Sequence, residues 1–256
     1  MWWMLAGALA GALGGSTVTA LEWRLRSGLP LVFDRSRCPS CSTVVRAYDN
    51  VPILSFILLG GRCRSCGQRI PLRYPLIEAG GVAIGVLVGG LQLGVVGRLA
   101  VLTGLFVGLV ASLVDLKEYR IPNRLTYPSA LFILLIDLVG GVIFHKPSVV
   151  LLPVVSMAVV ISLYLLLAMV SRGGMGIGDA KLAGVLALSC SALGPFAVFA
   201  AQLLAFGFGA TFGVGLIVLR RGSLKSRLPF GPFIWLGMLA TVAVYAADPR
   251  FLQLLN

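Results

Sequence analysis

Apolar residues fill most of the chain in runs of about 20 residues, and short polar turns separate these runs. A run of that length forms a helix that spans the hydrocarbon core of a bilayer, which is about 30 Å thick. The turn signal Gly194-Pro195 divides one long run into two helices. The sequence therefore predicts an all-α polytopic membrane protein with eight transmembrane helices. Their approximate ranges are 2–21, 76–96, 98–114, 126–144, 149–170, 181–193, 196–219 and 231–247.

The composition agrees with this pattern and argues against a water-soluble globule. Hydrophobic residues make up 58% of the chain, charged residues make up only 12%, and the mean hydropathy is +0.98. The amino-terminal stretch "MWWMLAGALAGALGG" has no Lys or Arg before its apolar run, whereas Arg24 and Arg26 follow it. A cleavable signal peptide normally begins with positive charge. We therefore expect a first transmembrane helix that is retained.

The positive charge is distributed unevenly across the predicted membrane. All but three of the 21 Lys and Arg residues fall on one side, and the exceptions are Arg98, Lys146 and Arg250. Basic segments stay in the cytosol during insertion, so the crowded side is predicted to be cytoplasmic and both termini to face outward. The net charge of +12 thus reports orientation in the membrane and favours contact with anionic membrane lipids. We expect no nucleic-acid partner.

Two CxxC pairs lie in the hydrophilic segment 23–75, with 21 residues between them. The pairs are Cys38 with Cys41 and Cys63 with Cys66. Four thiolates from two such pairs can surround one zinc ion tetrahedrally, and the metal would then help to fold this short segment. Disulfides are an alternative, although the predicted cytoplasmic side is reducing, and a redox role is another. We expect the fifth cysteine, Cys190, to serve packing.

Two aspartates lie at the ends of predicted membrane helices. Asp115 ends the third span, and Asp179 opens the sixth in "GIGDAKL". The fourth and fifth spans form a hairpin between them, so both carboxylates are predicted to reach the cytoplasmic membrane edge. Paired carboxylates can divide acid and base roles, because repulsion keeps one protonated while the other is ionised. An interfacial aspartate can instead pair with a nearby cation such as Lys117 or Lys181.

The helix termini suggest which aspartate is ionised. A helix amino terminus favours negative charge, so we expect Asp179 to be the ionised member and Asp115 to hold its proton. The ionised carboxylate would take a proton from a water that attacks a peptide carbonyl. Gly176 and Gly178 could let a substrate strand approach closely, or could simply form a tight turn.

Three further acidic residues carry weaker signals. Glu78, at the start of the second span, is a possible member of the site. Glu22 and Asp137 are interpreted as structural, and we expect Asp137 to pair inside the helix bundle.

Several sequence blocks then occur in a recognisable order: "RCPSC", "YDNVPILSFILLGGRCRSCG", "IPLRYPLIEAG", the Asp115 block with "IPN", "GIGDAKL" and "LPFGPF" at 228–233. In these blocks the chain resembles the bacterial type IV prepilin peptidases, a branch of the GxGD intramembrane aspartyl proteases. The resemblance covers about residues 5 to 235. One departure is Asn123, where many members of the family carry an acidic residue.

The resemblance implies an activity and the residues that carry it. Asp115 and Asp179 correspond to the catalytic aspartates, with Gly176, Gly178, Lys181 and Glu78 close to the substrate, and the four cysteines correspond to the zinc ligands. The substrate would be a prepilin or pseudopilin leader, cut after a glycine at the cytoplasmic face. Members with this cysteine domain usually also methylate the new amino terminus with S-adenosylmethionine, so a peptidase-only enzyme is the nearest alternative. A zinc-ribbon scaffold or a transporter is a remote one.

These expectations divide the chain into five parts. They are a first transmembrane helix (1–22), a cytoplasmic zinc-binding domain (23–75), transmembrane helices 2 and 3 (76–114), an aspartyl peptidase core (115–247) and a short external tail (248–256).

Overall fold

The computed structural model describes residues 1–31, 35–38, 40–170, 175–220 and 228–248, and these residues form an all-α fold. The α-helices are α1 (Trp2–Arg26), α2 (Leu54–Leu58), α3 (Arg73–Gly90), α4 (Val95–Glu118), α5 (Asn123–Ile143), α6 (Ser148–Val170), α7 (Ile177–Cys190), α8 (Pro195–Val218) and α9 (Gly231–Ala247). Short 3₁₀ turns lie at Ala47–Asn50 and Ser191–Leu193. The predicted fold class is confirmed.

A helix lies at each of the eight predicted spans, but the count of eight membrane crossings is not confirmed. Among the described residues, five helices are long and apolar enough to cross a bilayer, namely α1, α4, α5, α6 and α8. Helices α7 and α9 have only 14 and 17 residues, and α3 carries the polar residues Arg73 and Glu78 within its 18. The chain is therefore a multi-pass membrane protein, and the helices at the other three predicted spans, α3, α7 and α9, are shorter or more polar.

The chain forms two compact units, of which the first comprises Met1–Gly90 and the second begins at Leu91. In the first unit, α1 and α3 lie antiparallel and in backbone contact along a row of glycines. A Cβ on Gly11 would lie 3.1 Å from the Cα of Gly85, and one on Gly15 would lie 2.8 Å from the Cα of Glu78. Small residues four apart let helix backbones approach closely, as in membrane helix pairs. This pair carries the cysteine segment between its ends.

Helix α7 lies at the centre of the second unit and contacts α4, α5, α6, α8 and α9. From Leu182 to Cys190 every residue of α7 is buried. Gly184 provides room for the Ile161 side chain of α6, because a Cβ there would clash with that side chain. A helix that is apolar on all sides fits only such a buried position.

Local turns set where α4, α7 and α8 begin and end. Helix α4 continues past its predicted end at 114 and stops at Tyr119, whose left-handed backbone (φ 52°) lets its N–H bond to the carbonyl of Asp115 at 2.9 Å. Gly194, with φ 106°, separates α7 from α8, and Pro195 begins α8. The predicted division at Gly194-Pro195 is thus confirmed.

Candidate active site

Asp115 lies in the last turn of α4 and is only 4% exposed. Its Oδ2 accepts a 2.9 Å hydrogen bond from the backbone N–H of Gly231, the first residue of α9. A Cβ on Gly231 would lie 3.0 Å from the same oxygen, so the approach requires a residue without a side chain. Burial disfavours a charged carboxylate, whereas the N–H donor offsets part of that cost.

Asp179 lies in the first turn of α7, where it caps the helix. Its Oδ2 accepts the backbone N–H of Gly176 at 3.0 Å, and its own N–H donates to the carbonyl of Gly176 at 3.0 Å. The pair satisfies backbone groups that a helix start otherwise leaves open. The helix terminus also favours a negative charge on Asp179. Because Gly176 is the N-cap and Asp179 bonds back to it from the first turn, α7 begins at Ile177 and not at the predicted position 181.

The structure brings the two aspartates to the same end of the second unit. The two carboxyl groups are near enough that a charge on one disfavours a charge on the other. Neighbouring residues meet there as well, since a Cβ on Gly178 would lie 3.2 Å from the Cβ of Ile121. One carboxylate is fully buried and the other is half-buried, so two acids in unlike environments share one region.

Lys181 lies two residues after Asp179 in α7, and its side chain contacts α5. Its Nζ donates to Oδ1 of Asn123 at 3.0 Å and lies 5.2 Å from the centre of the Tyr127 ring. The ammonium therefore joins the start of α7 to the start of α5, and the alternative in which it pairs with Asp179 is not what the structure shows. Asn123, the departure from the family pattern, is its partner.

A buried polar pair beside Asp179 was missed by sequence reasoning. The Tyr164 hydroxyl on α6 donates to Oε1 of Gln202 on α8 at 2.9 Å, and Asp179 is near enough to Tyr164 for its charge to act on the hydroxyl. Its ring lies 6.5 Å from that of Phe230, the residue before Gly231. The available signals were a Gln inside an apolar helix, which is costly unless bonded, and the "LPFGPF" block.

Glu78 lies in the first unit and holds the cysteine segment to α3. Its Oε2 accepts the backbone N–H of Ile53 at 2.7 Å, and the Ser16 side chain is a second hydrogen-bond partner. Ile53 has φ 63°, which is strained for a β-branched residue, so this bond helps to retain an unfavourable conformation. A role for Glu78 near the substrate stays a prediction.

The other two acids differ in their surroundings. Glu22 is buried and forms ion pairs with Arg26 at 3.2 Å and Arg73 at 3.8 Å. Asp137 is buried in α5, but its Oδ2 has no hydrogen-bond partner among the described residues, so the expected pairing is not found at that atom. A buried aspartate with an unpaired oxygen is most stable when protonated.

The four cysteine sulfurs lie within 4.8 Å of one another. Cys38 Sγ and Cys66 Sγ are 3.9 Å apart, and all four cysteines are free thiols. Tetrahedral zinc with bonds of 2.3 Å separates its sulfurs by about 3.8 Å, whereas a disulfide requires about 2.05 Å. The donors therefore fit a zinc ion and do not form the disulfides of the alternative interpretation.

Each CxxC pair is folded into the same tight turn. The N–H of Cys38 donates to the carbonyl of Thr43 at 3.0 Å, and the N–H of Cys63 donates to the carbonyl of Gln68 at 2.8 Å. Hydrogen bonds from the side chain and backbone of Thr43 lower the pKa of Cys41 to about 6. Because zinc binds thiolates, this turn prepares Cys41 for a metal.

Bidentate hydrogen bonding ties the 3₁₀ turn to the second cysteine pair. Arg64 contacts both carboxylate oxygens of Asp49, with the shortest distance 2.7 Å. The Arg64 guanidinium holds the pKa of Asp49 below its usual range.

Comparison with known proteins connects both units to one family. The family model described as the Bacterial Peptidase A24 N-terminal domain matches residues 9–90, and that of the Type IV leader peptidase family matches residues 101–214. No solved structure matches the chain.

Three relatives are named prepilin leader peptidase/N-methyltransferase. The protein from Aeromonas salmonicida is 35% identical over 82% of this chain and 72% of its own length. Those from Burkholderia pseudomallei and Neisseria gonorrhoeae are 36% and 32% identical, cover 89% and 91% of this chain, and match over 73% and 83% of their own lengths. With such identity over most of each relative, the chain belongs to the type IV leader peptidase family.

Proposed function

We propose that this chain removes the leader peptide from type IV prepilins or pseudopilins, after a glycine, and N-methylates the new amino terminus. The observation that carries the proposal is the convergence of Asp115 and Asp179 at one end of the second unit. The names of the relatives supply the substrate class and the second activity.

In the proposed mechanism the two carboxyl groups hold one proton between them, so one is neutral and the other is ionised. Asp179, supported by the N–H of Gly176 and by the helix start, is the ionised member and takes a proton from water. The resulting hydroxide adds to the peptide carbonyl carbon, while the neutral Asp115 hydrogen-bonds to the carbonyl oxygen. The tetrahedral intermediate then breaks its C–N bond, and a proton passes to the leaving amine.

The protonation assignment has its own spectroscopic test. At neutral pH, carboxyl infrared spectroscopy should show a protonated signal from the active site that disappears in Asp115→Asn and persists in Asp179→Asn. Loss of that signal in Asp179→Asn alone would reverse the assignment. The buried Asp137 can contribute a second protonated signal, so both variants are measured in an Asp137→Asn background.

The proposed enzyme would use zinc and S-adenosylmethionine and would lie in the inner membrane. Cys38, Cys41, Cys63 and Cys66 would hold zinc and so fold the segment between α1 and α3, and S-adenosylmethionine would be the methyl donor. We place the chain in the inner membrane with the aspartates at its cytoplasmic face, as the distribution of Lys and Arg indicates. Gly176, Gly178 and Lys181 would lie beside the bound leader.

Asparagine variants separate catalysis from structure. In Asp115→Asn and Asp179→Asn the amide oxygen still accepts the N–H of Gly231 or Gly176, so the fold is retained while the acid is lost. We expect each variant to abolish leader cleavage of a co-expressed prepilin at normal membrane abundance. Asp137→Asn, a buried aspartate on α5, is the matched control and should cleave normally. Normal cleavage by either active-site variant would remove that residue from the catalytic pair.

Methyl transfer is tested with purified enzyme, a prepilin and radiolabelled S-adenosylmethionine. The proposal expects a cleaved product that carries label. Cleaved but unlabelled product would indicate a peptidase without the second activity.

A further inference from the structure

The short helix α2, within the segment between α1 and α3, presents its apolar face outward. Leu54, Ile57 and Leu58 lie on one side of the helix, at i, i+3 and i+4, and Ile57 and Leu58 are 66% and 73% exposed. The polar Ser55 is buried on the other side, where its hydroxyl donates to the carbonyl of Tyr48 at 3.0 Å. A helix of a water-soluble domain has the opposite arrangement.

The position of α2 is fixed by a hydrogen bond to α3. The N–H of Ile53, directly before α2, donates to Glu78 at 2.7 Å. Glu78 lies five residues into α3, or about 7 Å along the helix from Arg73, at a rise of about 1.5 Å per residue. Leu72 and Leu76, at the start of α3, are also strongly exposed. Helix α2 is therefore held beside the point where the polar start of α3 gives way to apolar residues.

Positive charge follows the carboxyl end of α2 closely along the chain. The chain leaves α2 through Gly60 and Gly61 and returns in a backbone pairing of Arg62 with Arg69. Both of these arginines are exposed, as is Arg73 at the start of α3. Apolar side chains bordered by arginines match the boundary between acyl chains and anionic head groups.

We propose that α2 is an interfacial anchor, in which Leu54, Ile57 and Leu58 insert into the leaflet while Arg62 and Arg69 bind anionic head groups. The anchor holds the cysteine segment on the membrane surface. This inference requires only that α3 enters a bilayer, so it stands apart from the proposed peptidase activity.

The charges favour a lipid surface over the other occupants of such a face. A basic peptide segment would be repelled by the arginines. A second copy of this chain would bring the same arginines against each other, because a twofold contact pairs like surfaces. The continuity of the exposed leucines with the start of α3 leads to the same bilayer that surrounds that helix.

Photo-crosslinking of the full-length protein tests the anchor. A benzophenone amino acid replaces Ile57 in one variant and Ser65, an exposed polar residue of the second cysteine turn, in the matched control. Both are reconstituted into vesicles of phosphatidylethanolamine and phosphatidylglycerol, illuminated, and analysed by mass spectrometry. We expect phospholipid adducts at position 57 several-fold above those at position 65. The same comparison at Leu58 provides a second site.

The head-group part of the proposal has a separate comparison. The phosphatidylglycerol adduct at position 57 should exceed its share of the lipid mixture, and this preference should fall in an Arg62→Gln/Arg69→Gln variant and at high salt. Adducts that are equal at positions 57 and 65 would overturn the anchor, as would a crosslink from position 57 to a second protein chain. An unchanged lipid preference in the double variant would overturn the role of the arginines.

Discussion

At the residue scale, Gly231 gives Asp115 its backbone donor and leaves no space for a side chain. Gly231→Ala would place a Cβ 3.0 Å from Oδ2 of Asp115, so the carboxylate must move by a few tenths of an ångström. Since a misplacement of about 1 Å costs about a hundredfold in rate, we expect kcat for leader cleavage to fall roughly tenfold. Gly207→Ala is the control, because its Cβ meets open space on α8. Equal activity of the two variants would contradict this role of Gly231.

The buried hydroxyl of Tyr164 should contribute to the stability of the helix bundle. Tyr164→Phe removes the donor to Gln202, and the amide oxygen is left buried without it. Hydrogen bonds between membrane helices contribute about 0.6 to 2 kcal/mol, so we expect a loss of that size in the free energy of unfolding.

A double-mutant cycle isolates the Tyr164–Gln202 bond. Tyr164→Phe, Gln202→Leu and the double variant are compared by thermal or chemical unfolding in detergent. Because the two single variants remove the same bond, the double variant should lose less stability than the sum of the two. Additive losses would show that the residues stabilise the protein independently.

The residues that sequence could identify are those with local motifs. Asp179 and the cysteines lie in "GIGDAKL" and in two CxxC pairs, where a few neighbouring positions define the chemistry. Gly231, whose N–H donates to Asp115, is 116 residues away from it along the chain. Tyr164 and Gln202 are 38 residues apart on different helices. Such contacts depend on how helices pack, which periodicity along one helix does not specify. The unpaired oxygen of Asp137 was missed for the same reason.

At the element scale, the glycine row between α1 and α3 allows a comparison of adjacent residues. A Cβ on Gly81 would clash with the backbone of Gly11 and Gly15, whereas a Cβ on Gly80 has nothing within 4 Å. We expect Gly81→Ala to destabilise the first unit by about 1–3 kcal/mol through overpacking. Gly80→Ala, the matched control, should be neutral or slightly stabilising, because alanine favours helix over glycine.

The α1–α3 comparison is measured by the thermal unfolding temperature of purified protein and by its abundance in membranes. Equal unfolding temperatures for the two variants would show that the helices tolerate greater separation. Stability of the α1–α3 contact is what these variants change, so it is measured directly and not through leader cleavage.

Helix positions could be predicted from the sequence, but helix lengths could not. Each predicted span holds a helix because its apolar residues fix the segment that leaves water. The ends depend on caps, such as the left-handed Tyr119 after α4 and Asp179 at α7, which hydropathy does not detect. Helix α2 was not predicted at all, because its five residues are too few for a periodic pattern.

At the scale of the whole molecule, the topology followed from the hairpin of α5 and α6. An even number of helices between Asp115 and Asp179 returns the chain to the same end, and the contact of Lys181 with Asn123 agrees with that return. The division into two units could not be read from hydropathy, because an apolar face that meets lipid resembles one that meets another helix. The cysteine segment was predictable as a metal site, because two CxxC pairs define four donors.

Removal of zinc should unfold one part of the molecule and leave the rest. Metal analysis should find one zinc ion per chain. A chelator, or Cys63→Ser, should abolish this zinc, whereas Cys190→Ser, at a buried cysteine of α7, should retain it. Among its described residues, the cysteine segment contains only the short α2, the 3₁₀ turn Ala47–Asn50 and two isolated bridges, so it depends on the metal for its folded state.

The membrane helices should respond differently, because their backbone hydrogen bonds lie within each helix and do not involve the metal. Limited trypsin digestion after chelation should therefore cut at the arginines of the cysteine segment, such as Arg37 and Arg62, while far-ultraviolet circular dichroism keeps nearly all of its helical signal. Zinc added back at pH 7.5 should bind the four cysteines and refold the segment, and resistance to trypsin should return. A chelated protein that loses its helical signal would contradict this separation, since zinc would then stabilise the membrane helices as well.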